Sequence, residues 1–366
     1  MKSELPELRE RRHQEARTWK ERTGGKVVGL FCCSVPEELI HAAGMLPVRL
    51  LGEHEDTSEA DVHFPVNVCP YPKACFDQAL KGRYDYLDGM VVPNVCDMVR
   101  AMFGFWQTSS PLPFLYFLEV PQKISPESTE FFTVELRRFR EALEAFGGKP
   151  IGDAAIRDAI RLCNADRELL RKLSAMRVTA GVSGSLVQDA TLTAMVLPKQ
   201  RHLELMEAAL AEAQAAPATD GVPLFLSASM LDESDFVRLI EESGGHAVAD
   251  DMPAGSRYFQ ADVDEDDPDP LHALARRYLE EIACPRKMLP EAHLAHMLAL
   301  LEGSGARGVV IHNLRACDCH LYEYPYFKKE LEARGLSVLF FRGEETATEL
   351  EQQRADIEAF IEMIEG

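Results

Sequence analysis

Eight short apolar runs, rich in β-branched and aromatic side chains, alternate with helical patterns along the chain and predict eight β-strands. Such alternation is typical of βαβ units, in which helices cover both faces of a parallel sheet. Four runs lie in the first third of the chain and four in its second half, which predicts two separate sheets. The predicted strands span 26–31, 46–51, 87–92, 114–120, 222–227, 246–249, 308–312 and 336–341.

The stretch between the two sets of strands, residues 128–215, shows helical periodicity and no strand signal. A chain of 366 residues is also too long for one ordinary core, so two domains are expected. We therefore predict an N-terminal α/β domain over 1–127, a helical segment and linker over 128–220, and a C-terminal α/β domain over 221–366. The predicted helices span 36–43, 70–80, 96–105, 136–146, 154–176, 201–213, 232–242, 268–281, 293–302, 322–333 and 346–364.

The negative net charge of the chain argues against two classes of partner. A formal net charge of −21 would repel both a nucleic-acid backbone and an anionic membrane, so we expect no nucleic acid and no membrane as partners. Residues 1–21 are rich in charge and contain no apolar stretch, unlike a signal peptide, and no later run is long and apolar enough to span a bilayer. We expect a cytoplasmic protein.

Nine cysteines, an odd number in a chain without an export signal, are expected to be ligands, catalytic groups or buried thiols rather than disulfides. Open parallel sheets bind ligands at the carboxyl ends of their strands. Four thiols follow predicted strands, and a fifth, Cys69, lies in a loop and opens a helix. Structural zinc sites use Cys-x-x-Cys pairs, which this sequence lacks, whereas an iron–sulfur cluster accepts scattered thiolates. From the residues alone, a metal centre and buried structural thiols both stay open. The five thiols are Cys32, Cys33, Cys69, Cys96 and Cys317.

Six sequence blocks carry a resemblance to a known family. In order they are GLFCCSVPEELIHAAGMLPVRLLG (29–52), CPYPKACFDQALKG (69–82), LDGMVVPNVCD (87–97), VADDMPAGSRYF (248–259), RRYLEEIACPR (276–286) and CDCHLYEYPYFKKELEARGLSVLFF (317–341). The chain resembles the iron–sulfur subunits of the 2-hydroxyacyl-CoA dehydratase and benzoyl-CoA reductase family over nearly its whole length. It is most similar to the smaller subunits of ATP-dependent benzoyl-CoA reductases. The resemblance implies two flavodoxin-like parallel-sheet domains plus a helical segment.

The resemblance also implies a 4Fe–4S cluster held between the domains by Cys69, Cys96 and Cys317. Cys69 matches the family cysteine that opens the helix after the second strand, and Cys96 matches that of the Pro-x-x-Cys-Asp turn. Cys317 matches the cysteine of the Cys-Asp-x-x-x-x-Glu block. Three thiolates would leave one iron open. Cys319 and His320 lie where the family usually has neither residue.

Ser34 and Glu53 are the candidate catalytic residues, on the interpretation that Ser34 and one of Glu37 or Glu53 line a substrate pocket beside the open iron. The alternative is that Ser34 only caps the helix that follows Pro36. We expect Cys75, Cys163 and Cys284 to be structural thiols.

Two blocks depart from the family pattern: DDMPAGSR (250–257) lacks a cysteine, and EQQRADIEAF (351–360) has lost a glycine, a threonine and an arginine. These losses favour a divergent or electron-relay subunit.

The function that the resemblance implies is low-potential, one-electron reduction of a CoA thioester, driven by a separate iron–sulfur ATPase activator. Its implied partners are a related subunit in a heterodimer, or a second copy in a homodimer, and an acyl-CoA substrate. Two alternatives stay open. One is a homodimeric reductase of small molecules with an 8Fe–9S double-cubane cluster, and the other is a non-catalytic subunit that relays electrons to a partner.

Overall fold

Two four-stranded sheets, each entirely parallel, form the framework of the molecule. The structure is a computed structural model that describes residues 4–54, 56–215, 219–344 and 346–366. The strand orders are β2-β1-β3-β4 and β6-β5-β7-β8, which is the flavodoxin-like order in both sheets. The strands are Val27–Leu30 (β1), Leu46–Arg49 (β2), Gly89–Pro93 (β3), Phe114–Leu118 (β4), Val222–Ala228 (β5), Gly245–Asp251 (β6), Gly308–Leu314 (β7) and Ser337–Gly343 (β8).

All eight predicted strands and the predicted fold class are confirmed. The central strands β1, β3 and β7 are buried along their whole length, as expected for strands that helices cover on both faces. β1 and β2 end at Leu30 and Arg49, before the predicted bounds, because the following residues leave the ladder and form loops at the carboxyl edge.

Helices fill the connections and cover the sheets. In the first half they are Leu5–Glu10 (α1), Arg12–Thr23 (α2), Glu37–Ala42 (α3), Ser58–Asp61 (α4), Pro70–Leu80 (α5) and Asp97–Ser109 (α6). The stretch between the sheets holds Pro126–Gly147 (α7), Asp153–Ala180 (α8), Gly184–Ala194 (α9) and Lys199–Ala215 (α10). The remaining helices are Asp235–Glu242 (α11), Ser256–Phe259 (α12), Pro270–Arg276 (α13), Pro290–Leu301 (α14), Asp318–Glu332 (α15) and Ala347–Glu365 (α16), with a π-helical turn at Arg277–Glu281. None of these helices is long and apolar enough to cross a membrane.

The largest hydrophobic core joins the first sheet, the helices between the sheets and a segment that follows β6. Buried residues between Ala254 and Ile282 pack into this core, while β5, β6 and β8 belong to a smaller one. The chain therefore crosses back toward the first sheet after β6. Residues 283–286, which follow this crossing, reach the carboxyl edge of the first sheet. The division into domains at 1–127, 128–220 and 221–366 stays a prediction.

Candidate functional site

A cavity of about 110 Å³ lies where the carboxyl edges of the two sheets meet, and seven of the nine cysteines line it. Its walls come from the loops after β1, β2 and β3 and from the loop between β7 and α15. Met230 after β5, Pro253 and Arg257 after β6, and residues 283–286 also line it. Most of the other lining side chains are apolar. The seven cysteines are Cys32, Cys33, Cys69, Cys96, Cys284, Cys317 and Cys319.

The three cysteines that the resemblance implies as ligands share one local geometry. Cys69, Cys96 and Cys317 occupy the N-cap positions of α5, α6 and α15, helices of 11, 13 and 15 residues. The positive ends of three helix dipoles and their free backbone N–H groups therefore face one cavity. A helix N-terminus lowers the pKa of a thiol and stabilises the thiolate, which is the form that binds metal.

The surroundings of these three thiols shift their pKa values in different directions. The Cys69 thiol and the His320 imidazole, whose Nδ1 lies 3.4 Å from the Cys317 sulfur, lower the pKa of Cys317 well below its ordinary value. The same contact with Cys317, together with burial, raises the pKa of Cys69. Burial raises the pKa of Cys96 to about 12. Binding of a metal centre by these thiols would have to displace the protons that they hold.

A second group of thiols lies on the wall that follows β1. The hydrogen bond from Cys33, the charge of Arg49 and the hydroxyl of Ser34 lower the pKa of Cys32 to about 5, against the effect of burial. Cys32 also has a φ of 59°, in the left-handed region that residues other than glycine rarely adopt. Ala316, which precedes Cys317, has a φ of 60°. Backbone strain of this kind concentrates at functional sites.

Positive side chains lie beside the thiols. Arg257 is buried and bound to both carboxylate oxygens of Asp251, and its Nη1 lies 3.1 Å from Nε2 of His320. His293 Nδ1 bonds to Glu323, with 2.7 Å between Nδ1 and Oε2, and its Nε2 lies 2.9 Å from Asp251. This hydrogen-bonded network reaches the Cys317 sulfur through His320 and fixes the imidazole that contacts it.

The two predicted catalytic residues lie at different places. Ser34 is buried, its hydroxyl lies 3.6 Å from the Cys32 sulfur, and it borders a cavity of about 10 Å³ next to the main one. Helix α3 begins at Glu37 with Pro36 at the N-cap position, so Ser34 does not occupy that position. The Glu53 carboxylate faces Arg12, with 3.5 Å between Oε1 and Nη2, and does not line the cysteine cavity.

The donor set suits a cluster better than a single ion. In the described part of the chain, no three His, Cys, Asp or Glu side chains stand in an arrangement that would hold one metal ion. A cluster bonds its thiolates to different iron atoms, so its ligands surround the group instead of converging on one point. Thiols from three helix N-termini around one mostly apolar cavity fit that requirement.

Comparison with known proteins identifies the family of the chain. The family model of the 2-hydroxyglutaryl-CoA dehydratase D-component matches residues 32–364. The chain belongs to this family. It is accordingly a 2-hydroxyacyl-CoA dehydratase-like enzyme subunit. The match includes all seven cysteines of the cavity.

Several curated relatives of the family align over almost the entire chain. A benzoyl-CoA reductase subunit of Thauera aromatica is 27% identical, with 95% of this chain and 94% of the relative covered. The (R)-phenyllactyl-CoA dehydratase beta subunit of Clostridium sporogenes is 27% identical over 94% and 93% of the two chains. The beta subunit of (R)-2-hydroxyglutaryl-CoA dehydratase of Acidaminococcus fermentans is 26% identical over 93% of each.

Two residues of the cavity wall, Cys284 and Arg49, were not predicted from the sequence. Cys75 and Cys163 are buried away from the cavity, as expected for structural thiols, but Cys284 lines it, which differs from our expectation. The signal was available, because Cys284 lies in RRYLEEIACPR, one of the blocks that carry the resemblance. Arg49 was also missed, although a charged residue inside the apolar run LPVRLL is unusual.

Proposed function

We propose that this chain is the iron–sulfur subunit of an enzyme that reduces a CoA thioester by single electrons at low potential, with a 4Fe–4S cluster bound to Cys69, Cys96 and Cys317. The observation that carries the proposal is the meeting of these three thiols, each at a helix N-terminus, in one cavity. When bound, the cluster would supply the electron that a thioester carbonyl accepts. The relatives named as subunits support a complex of several subunits for this chain too.

The residues of this chain would perform three tasks. The helix N-termini of α5, α6 and α15 stabilise thiolate charge where the ligands lie. The largely apolar wall keeps water from the cavity, which favours a low potential. His320 accepts a hydrogen bond from Arg257 at Nε2, so its Nδ1–H donates toward the Cys317 sulfur.

Electrons would come from a separate activator. The sequence contains no Gly-x-x-x-x-Gly-Lys phosphate loop, so ATP hydrolysis is assigned to a distinct iron–sulfur ATPase that docks on the complex. The substrate side is assigned to Ser34 and Glu53. Ser34 supports this role better, because its small cavity shares Val95, Cys284 and Arg286 with the cysteine cavity.

Iron and sulfide analysis of anaerobically prepared protein tests the proposal. The wild type is expected to hold about four iron atoms per chain. Replacing Cys69, Cys96 or Cys317 by Ala is expected to remove most of this iron in each case. Cys75→Ala and Cys163→Ala are matched controls, because both thiols are buried away from the cavity, and they are expected to keep the iron. Full iron in all three ligand variants would contradict the proposal.

A double-cubane cluster is a second candidate, favoured by the number of thiols in the cavity. Cys32, Cys33, Cys284 and Cys319 line it beside the three assigned ligands, enough for a second set of three. This form predicts about eight iron atoms per chain, and loss of roughly half of them when Cys32 or Cys284 is replaced by Ala. About four iron atoms in the wild type would exclude it.

An electron-relay subunit is a third candidate, favoured by the position of Glu53 outside the cavity. A relay would hold the cluster but bind no acyl-CoA at the open iron. The EPR spectrum of the reduced protein distinguishes the two roles, because a thioester that binds the open iron shifts the signal. No shift with any CoA thioester, in the presence of the partner subunit, would favour the relay.

A further inference from the structure

Arg49 is a buried arginine at the carboxyl end of β2 that lacks partners for much of its guanidinium group. The residue is 3% exposed and lines the cysteine cavity. Its Nε and Nη1 are buried and have no hydrogen-bond partner in the described structure. Its backbone N–H, by contrast, donates to Met195 over 2.9 Å and fixes the strand end. The backbone of Arg49 is therefore held in place, while the N–H groups of Nε and Nη1 have no hydrogen-bond partner in the described structure.

A buried cation whose Nε and Nη1 lack hydrogen-bond partners is costly, and the charge of nearby Glu37 acts on it without a hydrogen bond to either atom. A buried charge without a bonded partner destabilises a protein, because no solvent compensates the charge. Glu37 borders the same small cavity as Arg49, but its carboxylate already bonds to Tyr258 and pairs with Lys199. That cavity, of about 10 Å³, has room for at most one water molecule. One water would satisfy one N–H and add no negative charge.

The thiols that line the main cavity together with Arg49 indicate which group could balance its positive charge. Cys32, Cys33, Cys69 and Cys96 line the cavity together with Arg49. The guanidinium already lowers the pKa of Cys32 and favours its thiolate. A cluster bound in this cavity brings three thiolate charges, and each added electron increases the negative charge.

We propose that Arg49 binds the anionic cluster, with its guanidinium donating hydrogen bonds to cluster sulfur and offsetting the cluster charge. This inference rests on the proposed function. Hydrogen bonds to sulfur and net charge set the reduction potential of iron–sulfur clusters, so Arg49 favours the reduced state. Arg49 is thus a positioning residue for the cofactor, which also accounts for a charged side chain within an apolar strand.

The test is an EPR-monitored redox titration of reconstituted full-length protein. Arg49→Met is expected to shift the midpoint potential to a more negative value, and to lower iron affinity on the order of tenfold in competition with a chelator. Arg49→Lys is expected to recover part of the potential shift, because it keeps the charge but loses the planar fork of donors. Arg171→Met is the matched control. It removes the same charge from a part-exposed ion pair with Asp262 outside the cavity, and it should leave the potential unchanged.

The outcomes separate the inference from the proposed function. If the wild type binds no cluster, the proposed function fails and takes the inference with it. If the wild type binds a cluster and Arg49→Met has the wild-type potential and iron affinity, only the inference is wrong. If Arg49→Met does not fold, the midpoint potential of Arg49→Lys decides. This variant keeps the charge but loses the planar fork of donors, so a wild-type potential would overturn the proposed hydrogen bonds from Arg49 to the cluster. A shift that disappears in a Cys32→Ala background would mean that Arg49 acts on Cys32 alone, which also overturns it.

Discussion

Replacing Glu38 by Gln is expected to destabilise the protein by removing a buried charge that joins three segments around the site. Glu38 lies on α3, is fully buried, forms an ion pair with Arg167 of α8 and accepts a hydrogen bond of 2.7 Å from the Tyr278 hydroxyl. Tyr278 belongs to the π-helical turn that leads to residues 283–286 of the cavity wall. The substitution keeps the shape of the side chain and removes only its charge.

The magnitude follows from the pKa of Glu38. Burial acts to raise this pKa, but the positive charges of Arg167 and Arg277 outweigh it and lower the pKa from 4.5 to about 2. A difference of that size between the folded and unfolded chain corresponds to roughly 3 kcal/mol of folding free energy at neutral pH. Breaking a buried pair costs about 3–5 kcal/mol in general. We expect the lower end, because Glu37 Oε1 lies 3.9 Å from the Arg167 guanidinium and compensates part of its charge.

The pH dependence has a defined sign. Because the folded-state pKa is depressed, the contribution of Glu38 is fully present above about pH 4.5 and is lost as the pH falls toward 2. The free energies of unfolding of the wild type and Glu38→Gln should therefore differ by a constant amount from pH 7 to 5. The difference should then narrow at lower pH. The corresponding fall in Tm at pH 7 is roughly 6 °C, at about 2 °C per kcal/mol for a large domain.

Urea denaturation of the apo protein, followed by circular dichroism at several pH values, measures this difference. Glu168→Gln is the matched control, because Glu168 pairs with Lys172 on the exposed face of α8, and water screens such pairs. It should change stability little. Equal stability of Glu38→Gln and the wild type at pH 7, or a difference that does not narrow toward pH 2, would refute the reasoning.

Four further predictions concern the site and its surroundings. The purified chain is expected to show no ATPase activity, since it has no phosphate loop, and robust hydrolysis in a coupled assay would contradict this. Air is expected to bleach the cluster within minutes to hours and release iron, and a CoA thioester bound at the open iron should slow the loss of absorbance. Cys319→Ala should leave both the spectrum and this protection unchanged, whereas substrate binding only in the variant would mean that Cys319 closes the open iron. Gly255→Ala should lower Tm and iron content, because a Cβ there would overlap the Asp250 carboxylate, which accepts from the backbone N–H of Ser256. Normal values of both would contradict that explanation.

Most of the fold could be predicted from the sequence, because strands buried on both faces leave uninterrupted apolar runs. Helices α2 and α9 are among those that were not predicted, and each has a physical reason. Helix α9 is buried on nearly all sides and therefore lacks the polar stripe that marks an amphipathic helix. Helix α2 is the opposite case, since it is rich in charge and buries only Arg12 and Ala16.

The site was predictable where local structure defines it and not where the chain path does. Cys69 and Cys96 were predicted at the start of a helix, and both are N-cap residues in the structure. Cys317 is also an N-cap residue, but its helix begins at Asp318, four residues before the predicted start at 322. Cys284 reaches the cavity only because residues 254–282 return to the core of the first sheet. No local periodicity encodes that return. The free guanidinium of Arg49 depends likewise on which partners its neighbours have already taken.

Anomalous X-ray diffraction at the iron edge, on crystals grown without oxygen, tests the central claim most directly. The account predicts an iron peak bonded to each of the sulfur atoms of Cys69, Cys96 and Cys317, one further iron without a cysteine ligand, and sulfur of the same cluster near Arg49. Iron bound elsewhere, or a cavity without iron in protein that contains it, would contradict the account.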